Sequence, residues 1–361
     1  MLAIGLMSGT SLDGIDAALI DTDGETRVRP LAFRGEAYTD AARETLMEAT
    51  RVALTYDRPR LGRPIAEAAD LVVRTHAMAV LKLMREAGVK PGDVSVVGFH
   101  GQTVAHRPDR GWTWQIGDGA ALAAACGITT VSDFRSADVA AGGQGAPLLP
   151  VYHAALTAGL ERPVAVLNLG GVANVTLIDA DGALTAFDTG PANGLIDNWV
   201  EETSGARFDA GGALAGAGRV DQAVLTAMLD HPFFDAPPPK SLDRSDFTVQ
   251  PVRGLDTADG AATLTAFTAQ SVALALQQLP RRPGRLIVAG GGRHNPVMLR
   301  MIAEATGITP EPADALGWNG DAMEAEGFAY MAVRTLQNLP ISFPGTTGVP
   351  APTIGGVVHR V

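Results

Sequence analysis

The chain alternates short apolar runs with glycine-rich corners and longer stretches of helical periodicity. Residues 2–7 (LAIGLM) pass into SGTSLDG and then into IDAALID at 15–21, which reads as strand, glycine-rich turn, strand. A third extended segment is expected at about 28–38. Helical spacing follows at about 40–54 and 61–87, the second stopping at Gly88, since glycine readily takes the left-handed conformation that ends helices. SVVGFHGQT (95–103) is then a buried strand entering a glycine-rich corner.

The same order returns after the proline-flanked stretch APLLPVYH (146–153). VAVLNLG (164–170) predicts a strand, GVAN (171–174) a turn, VTLIDADG (175–182) a second strand, and LTAFDTG (184–190) a third. Helices are expected at about 192–203 and 259–278. RLIVAGGG (285–292) is again a strand running into a glycine corner, with a helix starting near Asn295. A pattern that occurs twice predicts two related α/β domains facing each other across a cleft, the architecture of actin, sugar kinases and Hsp70 ATPases. The competing reading is an ordinary doubly wound α/β protein whose glycines serve only turns.

Composition narrows the classes. At 361 residues, 46% hydrophobic and 19% charged, the chain has enough apolar material for two cores and is not disordered. A net charge of −11 gives no overall attraction for nucleic acid or anionic membrane, so neither is an expected partner, and an anionic ligand needs a local basic group. The uncharged stretch at 262–280 is near membrane-spanning length. Its three threonines, one serine and three glutamines point instead to a buried helix of a soluble protein. The first apolar run lacks a basic flank and meets an acid at Asp13, so it does not read as a signal peptide, and a cytoplasmic location is expected. Cys126, the one cysteine, lies in the apolar run AALAAACG and reads as a buried structural thiol.

Several segments carry candidate chemistry. In SGTSLDGID (8–16), small residues allow several backbone N–H groups to converge on one point, which suits phosphate oxygens. The chain has neither a G-x-x-x-x-G-K-[ST] loop nor a complete dinucleotide fingerprint, and a bare turn is the competing reading. Asp188, in FDTGPAN, sits where an apolar strand meets a glycine-proline corner and can serve either as a general base or as the cap of the following helix. Arg135 matches the two oxygens of a substrate carboxylate or pairs with Asp133 or Asp138. His100, His106 and His153 lack the spacing of a metal cluster, and Ser11 misses the nucleophile-elbow pattern that a triad with His100 and Asp188 would require. GDAMEAEGFAYMAVRTL (320–336) reads as a helix from Asp321, with Glu326 at the surface and Glu324, beside the apolar Met323, reaching inward.

Taken in order, GLMSGTSLDGIDAALI, HGQTVAHRP, QIGDGAALA, DFRSADVAAGGQGAPLLPVYH, NLGGVANVTLI, FDTGPANGLID, AGGGRHNPVML, GDAMEAEGFAYMA and the tail TTGVPAPTIGG resemble the anhydro-N-acetylmuramic acid kinases almost end to end. The resemblance implies duplicated actin-like (ribonuclease H-like) α/β domains with a nucleotide cleft between them: an N-terminal lobe over 1–150 carrying the first phosphate hairpin, and a C-terminal lobe over 151–361 carrying the catalytic aspartate and the nucleoside site. It implies a kinase that uses ATP, Mg2+ and water to open the 1,6-anhydro bridge of anhydro-N-acetylmuramic acid, yielding N-acetylmuramic acid 6-phosphate in peptidoglycan recycling, and a homodimer.

Carried across by residue, Gly9, Thr10, Ser11, Leu12, Asp13, Gly14, Ile15 and Asp16 form the ATP phosphate loop. Gly170, Gly171 and Asn174 form the opposing hairpin, and Gly290, Gly291 and Gly292 lie near the nucleoside. Asp188 is the base that activates water, and His100, Thr103, Arg135 and Glu324 contact the sugar. Magnesium ligands are not assigned, because the first strand lacks the aspartate many actin-like kinases use there. Other departures are Ala192 where glycine is expected, Asn319 where proline is common, and a divergent loop at 239–247 (PKSLDRSDF). A kinase for another N-acetylated sugar and a non-catalytic ATP-binding scaffold are the alternatives. The pairing of Asp188 with Arg135 argues against the scaffold.

Overall fold

The apolar run at the start of the chain becomes strand β1 (Leu2–Ser8), followed by β2 (Gly14–Thr22), β3 (Val28–Ala37), β4 (Val96–Arg107), β5 (Trp112–Ile116) and β6 (Thr130–Ser132) in the computed structural model, which describes residues 1–242 and 246–361. β1 pairs antiparallel with β2 and β2 with β3, while β4 lies parallel to β1 on its other side and β6 parallel to β4. A short C-terminal strand, Val357–His359, closes the sheet beside β6, and β5 pairs with the far end of β4.

Both faces of this sheet are covered. Ile4 and Leu6 join the core under helices Asp40–Ala53 and Arg63–Ala87, whereas Ala3, Ile20 and Val96 join a core formed with helix Met323–Leu336. Strands buried on both sides read as near-continuous apolar runs, as residues 2–7 do. The helix can come this close because Gly5 and Gly98 are register partners on β1 and β4. A Cβ at Gly5 would collide with the Ala325 carbonyl, and one at Gly98 with the Phe328 carbonyl.

The second sheet repeats the first. β7 (Val164–Leu169), β8 (Val172–Ile178) and β9 (Leu184–Pro191) form an antiparallel meander. β10 (Arg285–Ala289) then lies parallel to β7, and β11 (Pro310–Pro312) parallel to β10. Its spatial order, third–second–first–fourth–fifth strand, is that of β3-β2-β1-β4-β6. The fold is therefore a duplicated α/β fold of the actin-like kind. Helix Thr257–Gln278 is capped by Asp256 and buried along most of its length. The uncharged stretch from residue 262 is thus part of a core helix, and no helix among the described residues is long and apolar enough to cross a membrane.

The chain divides into two units, Met1–Ala158 with Ala322–Val361, and Gly159–Asp321. This differs from a division at 150/151, because the last forty residues return to the first unit. There helix Met323–Leu336 lies on β1, β2 and β4, and the final strand pairs with β6. Periodicity reveals that a helix follows residue 320; it does not reveal which sheet that helix covers. Cys126 ends helix Gly119–Cys126, and burial pushes its thiol up to about 11, so it is an inert packing residue.

Candidate active site

In the second unit the site is organised by strand register. Asn168 on β7 faces Asn174 on β8, and Asn174 faces Asp188 on β9, so three polar side chains form one row across three strands. The register shifts between Ala173 and Asn174, leaving Thr189 as a bulge in β9. A bulge bends its strand and re-aims the neighbouring side chain, and here that side chain belongs to Asp188. The bulge also turns the Asp188 backbone N–H outward to the Lys240 carbonyl at 3.0 Å, while Asp188 Oδ2 accepts the Leu242 N–H at 2.8 Å. Asp188 does not cap the helix that follows: that helix spans Asn193–Ser204, and its cap residue is Ala192, whose N–H goes to the Gly171 carbonyl. The turn between β7 and β8 is shorter than expected, with Gly170 and Gly171 between the strands and Asn174 already within β8.

Gly290 starts the second glycine corner in a left-handed conformation (φ 76°), where a Cβ would meet Asn168 Oδ1 and the Leu169 carbonyl. Gly291 and Gly292 form one turn of helix before Asn295, whose side chain caps helix Pro296–Thr306 through the N–H groups of Val297 and Met298. The corner is braced by Arg293, a residue the sequence reading did not single out. Its guanidinium binds Asp321 through two N–H groups at 2.7 and 2.9 Å, Asp314 at 2.7 Å and the Gly290 carbonyl at 3.1 Å. Burial opposes its charge, but the hydrogen bonds it donates to Asp321 and Asp314 more than offset that and hold the guanidinium protonated, while both carboxylates are drawn below their usual range. Arginine within GGGRHN was the available signal.

In the first unit, Gly9, Thr10, Ser11, Leu12 and Asp13 form the loop between β1 and β2, and Gly14, Ile15 and Asp16 begin β2. Leu12 holds a left-handed backbone (φ 59°) although its side chain is buried, and its N–H closes the turn on the Gly9 carbonyl at 3.2 Å. That conformation costs a branched side chain energy, and such strain is typical of loops shaped for a ligand. The base of the loop is fixed by Gln102, which is fully buried: its Oε1 accepts from Ser8 Oγ at 2.6 Å and its Nε2 donates to the Gly9 carbonyl at 3.1 Å. Tyr38 OH meets the same Ser8 hydroxyl at 3.0 Å. Gln102 belongs to the HGQT segment, but nothing in its spacing announced a contact 94 residues away.

A cleft beside this loop is lined by Gly9, Ser11, Asp13, Gly14, Asp16, Gly35, Glu36 and Glu324, the last from the first turn of helix Met323–Leu336. Glu326 does not lie at the surface as its helix position suggested. It is 2% exposed, takes the Tyr152 hydroxyl as donor, and burial raises its pKa.

β4 is also bulged: Leu6 pairs with Phe99 but Ser8 with Gln102, so His100 and Gly101 (φ 72°) together stand opposite Met7 alone. The bulge sets His100 against Arg135, whose Nε and NH2 lie 3.2 and 3.1 Å from His100 Nε2 and whose NH1 donates to the Gly145 carbonyl at 2.8 Å. His100 is 4% exposed, and its Nε2 faces the arginine. Asp138 is committed elsewhere, accepting from Gly145 N and Thr347 Oγ1 at 2.6 Å each. Thr103 lies further along β4, its hydroxyl accepting from Gln115 Nε2 at 3.2 Å. Of the divergent loop at 239–247, residues 243–245 lie outside the described residues.

The sequence profile of the anhydro-N-acetylmuramic acid kinase family matches residues 1–360. A protein of that name from Rhizorhabdus wittichii is 68% identical over 361 residues, covering 100% of this chain and 99% of its own length. Another of that name from Zymomonas mobilis is 54% identical over the full length of both chains. Among solved structures, component A of the (R)-2-hydroxyglutaryl-CoA dehydratase of Acidaminococcus fermentans matches in fold, with a TM-score of 0.51 and 13% identity over 93% of this chain and 99% of that one. With an end-to-end family match, relatives above half identity and the duplicated sheets, this chain belongs to the anhydro-N-acetylmuramic acid kinase family.

Proposed function

We propose that this chain is an ATP-dependent kinase that opens the 1,6-anhydro ring of anhydro-N-acetylmuramic acid with water and phosphorylates the product to N-acetylmuramic acid 6-phosphate, a step in the recycling of peptidoglycan fragments. The observation that carries the reading is the place of Asp188: a carboxylate at a bulge, in register with Asn174 and Asn168 and beside the Gly170–Gly171 turn. In this reading Asp188 takes a proton from water, the water oxygen bonds to the anomeric carbon, and the bond from that carbon to the bridging oxygen breaks. The bridging oxygen then attacks the γ-phosphorus, and ADP leaves.

The loop of residues 9–16 holds the phosphates by backbone N–H groups, with Gly170, Gly171 and Asn174 as the second phosphate hairpin and Gly290–Gly292 near the nucleoside. Arg135, kept in place by His100 and Gly145, receives the lactyl carboxylate, while Thr103 and Glu324 contact the sugar. Mg2+ when bound neutralises charge on the transferring phosphoryl group. The carboxylates of Asp13, Asp16 and Glu324 beside the loop are hard oxygen donors of the kind it accepts, and since no three such groups form a ready metal centre among the described residues, phosphate oxygens and water would complete its shell. A cytoplasmic homodimer is the corresponding cellular form.

The test is ADP release with anhydro-N-acetylmuramic acid as acceptor. Sugar-dependent release is expected, with Asp188→Asn lowering kcat about 10²–10⁴-fold, the usual contribution of a general base. Turnover within tenfold of the parent would overturn the assignment of Asp188.

A further inference from the structure

Asp188 is held from outside its own sheet. Residues 240–242 run along the bulged end of β9, and they bind Asp188 twice: Lys240 O accepts its backbone N–H at 3.0 Å, and the Leu242 N–H donates to Oδ2 at 2.8 Å. One of those bonds sets the peptide from which the side chain leaves, and the other sets the carboxylate itself. The segment is in turn pinned by the Lys240 side chain. Its ammonium donates to the carbonyls of Phe233 and Phe234 at 2.8 and 3.4 Å, within the short helix Pro232–Asp235. The same ammonium lies 4.6 Å from the ring centre of Phe233 and 5.8 Å from that of Phe187, the residue preceding Asp188. Gln278 Nε2 donates to the Phe234 carbonyl at 2.6 Å and so fixes the anchor to the core helix Thr257–Gln278.

A lysine on an ordinary surface loop keeps its ammonium in water. Here burial works against the charge, with Asp235 giving partial compensation, so the ammonium is kept where it is by carbonyl dipoles and aromatic faces. We propose that Lys240 is a positioning residue for Asp188, acting through the 240–242 segment to aim the carboxylate and to keep the Leu242 N–H on Oδ2. The proposal rests on the reading of Asp188 as the base.

The test compares Lys240→Met with Lys240→Arg, in the full chain, by kcat, KM for ATP and sugar, the pH profile of kcat/KM, and thermal melting. An N–H donor to a carboxylate favours its ionised form, so loosening the segment raises the pKa of the base. Lys240→Met is expected to lower kcat about tenfold, the rate equivalent of one hydrogen bond to a charged group. It is also expected to move the acid limb of the profile upward by about one pH unit, with KM for ATP within twofold of the parent. Lys240→Arg should recover most of kcat and return the limb.

An unmoved acid limb in a folded Lys240→Met protein overturns the proposal, as does equal loss in both variants. If Lys240→Met gives no cooperative melt, Leu242→Pro, which lacks the donor N–H, is read in its place: the limb must rise, and an unmoved limb overturns the proposal. Failure of the base reading shows separately, as Asp188→Asn retaining turnover.

Discussion

The Arg135 guanidinium rests on the imidazole of His100, with Nε and NH2 at 3.2 and 3.1 Å from Nε2, while His100 Nδ1 faces the Gly101 carbonyl at 2.9 Å. A carbonyl can only accept, so Nδ1 carries the proton and Nε2 offers its lone pair to the arginine. Burial, and after it the charge of Arg135, hold the His100 pKa well below the ordinary histidine range, which keeps that lone pair available at neutral pH. His100→Phe keeps the ring volume and removes the acceptor. It should raise KM for the sugar about tenfold, with KM for ATP within twofold, because one hydrogen bond to a charged group is worth roughly a factor of ten or more. Equal loss for both ligands in steady-state kinetics would mean that His100 supports the fold and not the orientation of Arg135.

Gly98 and its partner Gly5 let helix Met323–Leu336 approach the sheet, and the same helix carries Glu324 in its first turn. Gly98→Ala forces a methyl against the Phe328 carbonyl, and overpacking of this kind costs about 1–3 kcal/mol. Thermal melting should therefore fall by several degrees, at roughly 2–4 °C per kcal/mol for a chain region of this size. An unchanged melting temperature would contradict the close packing.

Three buried neutral histidines make the first unit acid-sensitive. Burial lowers His76 to about 4 and His153 to about 3, and lowers His100 as well. In the unfolded chain each takes up a proton near pH 6.5, so between that pH and the folded values the unfolded state binds more protons. Stability is thus full above about pH 6.5 and falls as the pH drops toward 4. Glu326 acts in the opposite sense, since its raised pKa favours the folded state more at low pH. Melts from pH 7.5 to 4.5 should show the decline, and His76→Phe, which keeps a ring against Phe99, should flatten it. A His76→Phe slope equal to the parent's would show that His76 does not contribute.

Much of the architecture was legible because both sheets announce themselves by the same order of apolar runs and glycine corners, and the loop of residues 9–16 and the Gly290 corner lie where those runs end. Register was not legible. The row Asn168–Asn174–Asp188 depends on a bulge at Thr189, and the contact of His100 with Arg135 on a bulge at His100–Gly101. A bulge shifts side chains by one residue without changing composition. Glu326 was misplaced for a related reason: helical position gives a face, but the sheet that covers that face is chosen by tertiary packing. Gln102 and Arg293 brace backbone carbonyls of glycine corners, a role that leaves no spacing pattern to read.

The most direct measurement is the reaction of anhydro-N-acetylmuramic acid and ATP in oxygen-18 water, with the sugar product analysed by mass spectrometry. If Asp188 activates water against the anomeric carbon, the phosphorylated product carries one heavy oxygen at that carbon. Phosphorylated sugar without the label would contradict water activation, and no phosphorylated sugar at all, with ATP still bound, would contradict the kinase reading.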